Sequence, residues 1–387
     1  MLFENFRGVM LNICVIACVN LKTKGLIGVR KKVYAQSIHM SKNNVSISLL
    51  CMDGSDIILT DFVDGRETGR ETLYRHTPYG DEIFFEKVVY LIRKGKINAD
   101  RWYIRYCVLN DHSLALLSKV AAEKATVYFE IPTYPYNGEL TDEQLVVDVE
   151  NQKMITPYVT GVFSPSCEDG DVFLGRKIIK TGNGVQFLDF NTSPVRKKID
   201  KEFNLIGVAF LAFWHGYDRI IKSLKDFKIK VPDVRCRYYV IGEGPEKNEL
   251  IRIAEKYDVM DMVEFCGSVD GDDLIELYNK AHCGVACLGL HRRQGRNIKT
   301  EPLKVREFMA AGLPFILSYQ DSIDFSNLPG VYRVSDDDAD VDLVNIFNQC
   351  KSFYISDAEH ILRDFAKNNF DWGVFMKNQV DRIVNNQ

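Results

Sequence analysis

The segment Glu301-Pro-Leu-Lys-Val-Arg-Glu-Phe-Met-Ala-Ala-Gly-Leu-Pro314 gathers residue types suited to holding a phosphorylated ligand. Pro302 near a first turn and Gly312-Leu-Pro314 at the far end predict a helix over Leu303–Ala311. Arg292, Arg293, Arg296 and Lys299 fill the loop before it. Free N–H groups at a helix start, the helix dipole and nearby cations together suit a diphosphate. Leu303, Lys304 and Val305 offer the N–H groups, and Lys304 adds charge. Glu307, deeper in the helix, could accept hydrogen bonds from ribose hydroxyls, although a carboxylate on a helix is most often simply solvated. The basic loop likewise reads either as a solvated charge run or as the group that stabilises a departing diphosphate. The pattern points to a nucleotide-sugar site.

Two further places carry chemistry. Tyr238-Tyr-Val-Ile-Gly-Glu-Gly-Pro245 is an apolar run ending in Gly242 and Gly244, either a plain strand-to-helix turn or a loop bordering the ligand. Glu130 ends a strand and precedes the stiff, aromatic Ile131-Pro-Thr-Tyr-Pro-Tyr136. A carboxylate there suits a catalytic base or a stabiliser of an oxocarbenium ion, or it is bonded to local backbone. Arg105 and His112 are weaker candidates of the same kind.

These residues need rigid elements beneath them. Short β-branched or aromatic runs alternate with helical patterns through the chain, which predicts βα units and parallel sheets. Expected strands include Ile13–Val19, Trp102–Cys107, Thr126–Glu130, Asn204–Phe210, Arg237–Ile241, Gly284–Leu288 and Phe315–Ser318. Asp53–His76 is polar and turn-rich, predicting a hairpin or surface excursion, and Asp189–Lys201 reads as a linker. A final helix from about Ile355 is expected to bend near Phe370-Asp-Trp372.

Taken in order, Gly242-Glu-Gly-Pro245, Val263-Glu-Phe-Cys-Gly267, Leu274 to Tyr278 and Pro302-Leu-Lys-Val-Arg-Glu307 through Gly312-Leu-Pro314 resemble the C-terminal half of family 4-type glycosyltransferases. Asn204-Leu-Ile-Gly-Val-Ala209, Trp214-His-Gly-Tyr-Asp-Arg219, Glu130 to Tyr136, Tyr103-Ile-Arg-Tyr106 and Thr181-Gly-Asn-Gly-Val185 resemble the branch found among bacterial surface-polysaccharide transferases. The resemblance implies an α/β fold of GT-B type: two facing Rossmann-like domains with a cleft between them and a C-terminal helix crossing back. Its domains would be residues 1–195 for the acceptor, 196–370 for the nucleotide-sugar, and 371–387 as the returning helix.

The resemblance also assigns roles. Glu307 takes the ribose-binding position. A second family carboxylate would fall at Lys299, so Glu301 stands as a candidate in its place, with Glu130 the other catalytic candidate. The wider family's two phosphate-contacting cations fall at Val208 and His215 here. Arg219 and the basic loop are therefore expected to supply charge, with His215 either donating to phosphate or serving as a capping histidine. Gly25-Leu-Ile-Gly28 resembles the loop that approaches the sugar or diphosphate. The activity implied is metal-independent, retaining transfer of a sugar, with no cofactor, from a nucleotide-sugar to a saccharide, lipid-linked in that branch. A sugar-nucleotide epimerase on the same fold and an inert nucleotide-sugar-binding subunit are the alternatives.

Composition narrows the partners. In 387 residues, a formal charge of −4 with Lys and Arg spread among acids predicts no nucleic-acid binding. The ten cysteines show no metal-ligand spacing and read as buried thiols of a reducing cytoplasm. Asp336-Asp-Asp338 reads as solvated. Lys22, Lys24, Arg30, Lys31 and Lys32 form a basic patch that suits peripheral contact with anionic headgroups on the inner membrane face, or is a solvated helix face.

Overall fold

A computed structural model describes residues 10–23, 26–77, 80–106, 115–116, 126–132, 134, 136, 140–190, 199–293 and 301–386. The chain divides into two compact units, residues 1–182 with 372–387, and residues 183–371. Each is an α/β structure built on one predominantly or wholly parallel sheet.

In the first unit, β1 (Leu11–Asn20) and β2 (Val45–Asp53) flank helix α1 (Ile27–Ser41) in sequence. Strand β1 is a nearly continuous apolar run, with Ile13 through Ala17 all buried, as a parallel strand covered on both faces requires. The expected excursion is a hairpin, β3 (Asp56–Val63) and β4 (Arg66–Tyr74), that extends the sheet antiparallel from β2. Helix α2 (Asp81–Arg93) leads to β5 (Arg101–Arg105) and β6 (Thr126–Glu130). Helix α3 (Asp142–Ile155) then precedes β7 (Gly161–Ser164), β8 (Val172–Phe173) and β9 (Arg176–Lys180). Among the described residues the sheet order is β4-β3-β2-β1-β5-β6-β7-β9-β8.

The second unit runs β10 (Glu202–Val208), α4 (Tyr217–Lys230), β11 (Arg235–Ile241), α5 (Lys247–Lys256), β12 (Val263–Gly267), α6 (Gly271–Lys280) and β13 (Cys283–Val285). It continues through α7 (Leu303–Ala310), β14 (Phe315–Leu317), β15 (Val331–Arg333), α8 (Leu343–Ile355) and α9 (Glu359–Phe370). Its sheet is parallel throughout, in the order β12-β11-β10-β13-β14-β15. Counted from β10, that is the doubly wound order 3-2-1-4-5-6. The core lies between helices and sheet around Phe203, Leu205, Ile220, Leu224, Val240 and Val285.

Three differences from the sequence expectation have simple causes. Gly284–Leu288 is strand only to Val285, because Leu288 turns to donate to the His215 carbonyl at 2.9 Å. Residues 183–190 belong to the second unit, where Asn183 Nδ2 donates to the Glu301 carbonyl at 2.9 Å and the Val185 N–H to that of Phe370 at 2.8 Å. The single bent helix is instead two, α9 and a following helix, divided at Asp371 where the bend was expected. The last, α10 (Trp372–Val384), starts after an extended Asp371 and packs in the first unit, with Phe375 against Gly182 and Gln379 Nε2 donating to Thr181 at 2.5 Å.

Candidate functional site

The strand order of the second unit reverses between β10 and β13, and in open parallel sheets ligands bind at the carboxyl ends beside such a reversal. The two loops leaving those strands meet there. After β10, Phe213–His215 form a 3-10 turn closed by Gly216 at φ 66°. A Cβ on Gly216 would lie 2.6 Å from the Leu288 carbonyl carbon, so this crossing requires glycine.

Helix α7 follows Pro302 with no side chain capping its N-terminus. Lys304 in its first turn is 9% exposed. Its Nζ lies 3.3 Å from the Tyr217 hydroxyl and 5.4 Å from the ring centroid, and among the described residues it forms no ion pair. Burial lowers its pKa. His215 lies close by: burial, then the charges of Lys304 and Arg293, hold its pKa well below the ordinary value. Its Nδ1 accepts from the Ala212 N–H at 3.4 Å, which fixes a neutral ring with the proton on Nε2. The Arg293 guanidinium stacks 5.2 Å from the Trp214 ring centroid. Glu307, half-buried one turn along α7, accepts a 2.7 Å hydrogen bond from the buried Tyr278 hydroxyl. Lys304, His215, Arg293 and Glu307 thus come together, with Leu303 and Val305 in the same helix turn.

Other expected cations are committed to the fold. Arg219 is fully buried and donates to the carbonyls of Leu288 at 2.6 Å, Ala339 at 2.8 Å and Ser335 at 3.0 Å. It ties loops together and has no donor left for a phosphate. Arg292 grips Asp218 through two bonds of 2.8 and 3.0 Å and reaches Asp338 at 2.7 Å, so it too is neutralised. The acidic run is exposed, as expected, and is also paired: Asp336 and Asp338 meet His291, Asp337 meets Arg219, and Asp338 meets Arg292. Arg296 and Lys299 lie outside the described residues, as do Gly25, Lys24 and His112.

The glycines divide similarly. Gly242 sits at φ 128°, and a Cβ there would fall 1.7 Å from the Ala209 carbonyl oxygen; one on Gly244 would fall 2.3 Å from that of Leu211. Their immediate need is to let the two loops touch, which the Leu211 N–H to Glu243 carbonyl bond at 2.9 Å fastens. Gly28 lies in the first turn of α1, and nothing stands within 4 Å of its Cβ position.

The two candidate catalytic carboxylates, Glu130 and Glu301, are both buried and bonded within the fold. Glu130 is 1% exposed. Lys32 Nζ lies 2.5 Å from Oε1, and Gln36 and the Tyr103 hydroxyl each donate to Oε2 at 2.9 Å. Burial alone would raise its pKa, but Lys32 and Arg105 outweigh this and bring it to about 2. In this setting Glu130 is the counter-charge of Lys32 and Arg105. Lys32 is therefore withdrawn from the basic patch, while Lys22 pairs with Asp53 at 3.3 Å and Arg30 donates to the Leu21 carbonyl at 3.1 Å. Glu301 is also buried, bonded to the Ser322 hydroxyl and 3.7 Å from Arg306, with burial raising its pKa.

Sequence reasoning overlooked Arg306, which is fully buried, pairs with both oxygens of Asp321 and stacks 4.7 Å from the Phe370 ring centroid. It also overlooked the roles of Tyr217 and Tyr278, whose rings and hydroxyls seat Lys304 and Glu307. Nothing in the one-dimensional pattern separates Arg306 from the exposed arginines. Among the described residues no cluster of His, Cys, Asp and Glu is placed to hold a metal ion, and no helix is long and apolar enough to cross a membrane.

Residues 189–323 match the family described as Glycosyl transferases group 1. The chain is 27% identical over 163 residues to an uncharacterized glycosyltransferase of Haemophilus influenzae, covering 42% of this chain and 41% of that protein. The match thus spans less than half of that relative. Among solved structures, Anabaena Alr3699/HepE in complex with UDP and glucose superposes with a TM-score of 0.63 at 13% identity, over 97% of this chain and 99% of the other. The pneumococcal O-GlcNAc transferase GtfA with UDP and GlcNAc gives 0.62 at 11%, over 97% and 99%. Likeness at these identities establishes the fold, which is that of GT-B glycosyltransferases.

Proposed function

We propose that the chain is a retaining, metal-independent glycosyltransferase that binds a nucleotide-sugar in its second unit and passes the sugar to a saccharide acceptor. The observation that carries this reading is Lys304, a buried ammonium with no ion pair among the described residues. A buried cation is costly unless an anion meets it, and a diphosphate at the start of α7 would do so. The neutral His215 offers its Nε2–H to the same group, taking the position where the resembled family carries a lysine. Glu307, oriented by Tyr278, accepts from the ribose hydroxyls.

As the bond between the sugar's anomeric carbon and the diphosphate oxygen breaks, negative charge grows on the leaving group. Lys304 and Arg293 stabilise that charge more than the ground state, which lowers the barrier. The departing oxygen takes the acceptor's hydroxyl proton while the new bond forms on the same face of the sugar. The glycosyltransferase group 1 match across these residues and the neighbours solved with UDP support a uridine diphosphate sugar as the first donor to try. The branch resemblance favours a lipid-linked acceptor in surface-polysaccharide synthesis.

The test is thermal stability against UDP, ADP, GDP and their sugar conjugates, beside product analysis with donor alone. One nucleotide should stabilise the protein, and Glu307→Ala should weaken that shift and abolish transfer while the unliganded variant stays folded by circular dichroism. No shift with any nucleotide at millimolar concentration would overturn the reading. An epimerised donor formed without acceptor would replace transfer with epimerisation.

A further inference from the structure

The second unit contains a cavity of about 250 Å³ at the amino ends of its strands, the opposite ends from the proposed diphosphate. Glu202 at the start of β10 and Asn279 near the end of α6 are exposed at its mouth. The rings of Tyr239, Tyr278 and Tyr354 line it, and Gly312, just past the end of α7, closes one side.

Its chemistry excludes several ligands. Lys280, the ammonium at the rim, is paired with Glu276 at 2.6 Å, which leaves no unpaired lysine or arginine in the lining for a phosphate. The volume falls below the roughly 300–1,000 Å³ of pockets for drug-sized ligands. Asn204 and His282 also line it, but Asn204 donates its backbone N–H to His282 Nδ1 at 2.9 Å and its Nδ2 to the Lys280 carbonyl at 3.0 Å. What remains most open is the Glu202 carboxylate and the Asn279 amide, which bond hydroxyl groups, beside aromatic faces, which take C–H edges. That combination fits one neutral sugar ring.

The cavity also touches the donor site at one residue. Tyr278 forms part of its wall, and the hydroxyl of that same side chain donates to Glu307 at 2.7 Å. We infer that this cavity binds a single neutral monosaccharide, and that its occupancy is felt at Glu307 through Tyr278. The coupling rests on the donor-site reading above; the binding does not.

The experiment titrates the full chain, saturated with UDP to fill the donor site, with D-glucose, D-galactose and N-acetyl-D-glucosamine, read by saturation-transfer NMR and calorimetry. At least one sugar should bind. Asn279→Trp, which plugs the mouth from an exposed position, should abolish that binding and leave UDP affinity within about twofold. Glu202→Ala, a second exposed variant, should weaken it at least about threefold. Saturating sugar should change UDP affinity about fivefold in the native chain and not in Tyr278→Phe.

No sugar binding to the native chain would overturn the inference. So would binding that survives Asn279→Trp but is lost in Glu307→Ala, since that places the sugar in the donor site. An unchanged UDP affinity in saturating sugar would overturn the coupling. If UDP itself fails to bind, the functional reading falls, yet a sugar signal lost in Asn279→Trp would still uphold the cavity.

Discussion

Two clusters of positive charge lie near the point where the second sheet reverses, and they behave in opposite ways. Arg219 and Arg292 are surrounded by carbonyls and by Asp218, Asp337 and Asp338. Lys304, with the neutral His215 beside it, meets the Tyr217 hydroxyl and the Cys287 thiol and forms no ion pair among the described residues, Glu307 acting on it only through its charge. The first cluster is complete without a ligand and so is part of the fold. The second is incomplete, and a bound anion would complete it. A count of basic residues cannot tell these apart; the partners of each cation can.

The sharpest way to break this contrast is Arg219→Ala. It strands three buried carbonyls, a loss of several kcal/mol. Thermal melting should fall by roughly 5 °C or more. A variant that melts normally but no longer binds UDP would reverse the assignment of the two clusters.

Glu130→Gln tests the same logic in the first unit. The buried Lys32 would lose its counter-charge, at about 3–5 kcal/mol. The carboxyl titrates at about 2 in the fold against an ordinary 4.5. A depressed carboxylate stabilises the fold above its unfolded value, so about 3 kcal/mol should drain away as pH falls from about 4.5 toward 2. Acid unfolding followed by circular dichroism should show that loss in the native chain and not in the variant. Equal acid sensitivity in both would contradict the ion pair.

Lys304→Met should act the other way round. Melting without ligand should hold or rise, since a buried charge is removed, while UDP affinity should drop about tenfold or more by calorimetry. Unaltered affinity would remove the observation on which the functional reading rests.

The smallest effect belongs to Gly28→Ala. Open space around its Cβ position and a place in the first turn of α1 predict a change in stability within about 1 kcal/mol, in the stabilising direction. Gly242→Ala, by contrast, has no room for a methyl group, and a soluble, normally melting Gly242→Ala would refute the loop contact.

The sequence carried the sheets well, because buried parallel strands are written as uninterrupted apolar runs. Ile13–Val19 and Arg237–Ile241 could be read directly. Helix α7 announced both its ends through Pro302 and Gly312. The site was legible only in part. Lys304 and Glu307 stood out through their place at a helix start. Arg219 and Glu130 looked equally suitable because charge and position along the chain say nothing about burial. Their true partners, Ser335, Ala339 and Lys32, lie far away in sequence and carry no local signature.

The way the units are threaded bears on the order in which the protein assembles. Residues 183–371 form one unit enclosed between two stretches of the other. During synthesis the second unit is therefore whole while the first still lacks α10, whose Phe375 and Gln379 seat against Gly182 and Thr181. The unit begun first is finished last. Until its final helix leaves the ribosome, the α10-binding surface beside α1 stands open, and it does so for the whole time that residues 183–371 are being made.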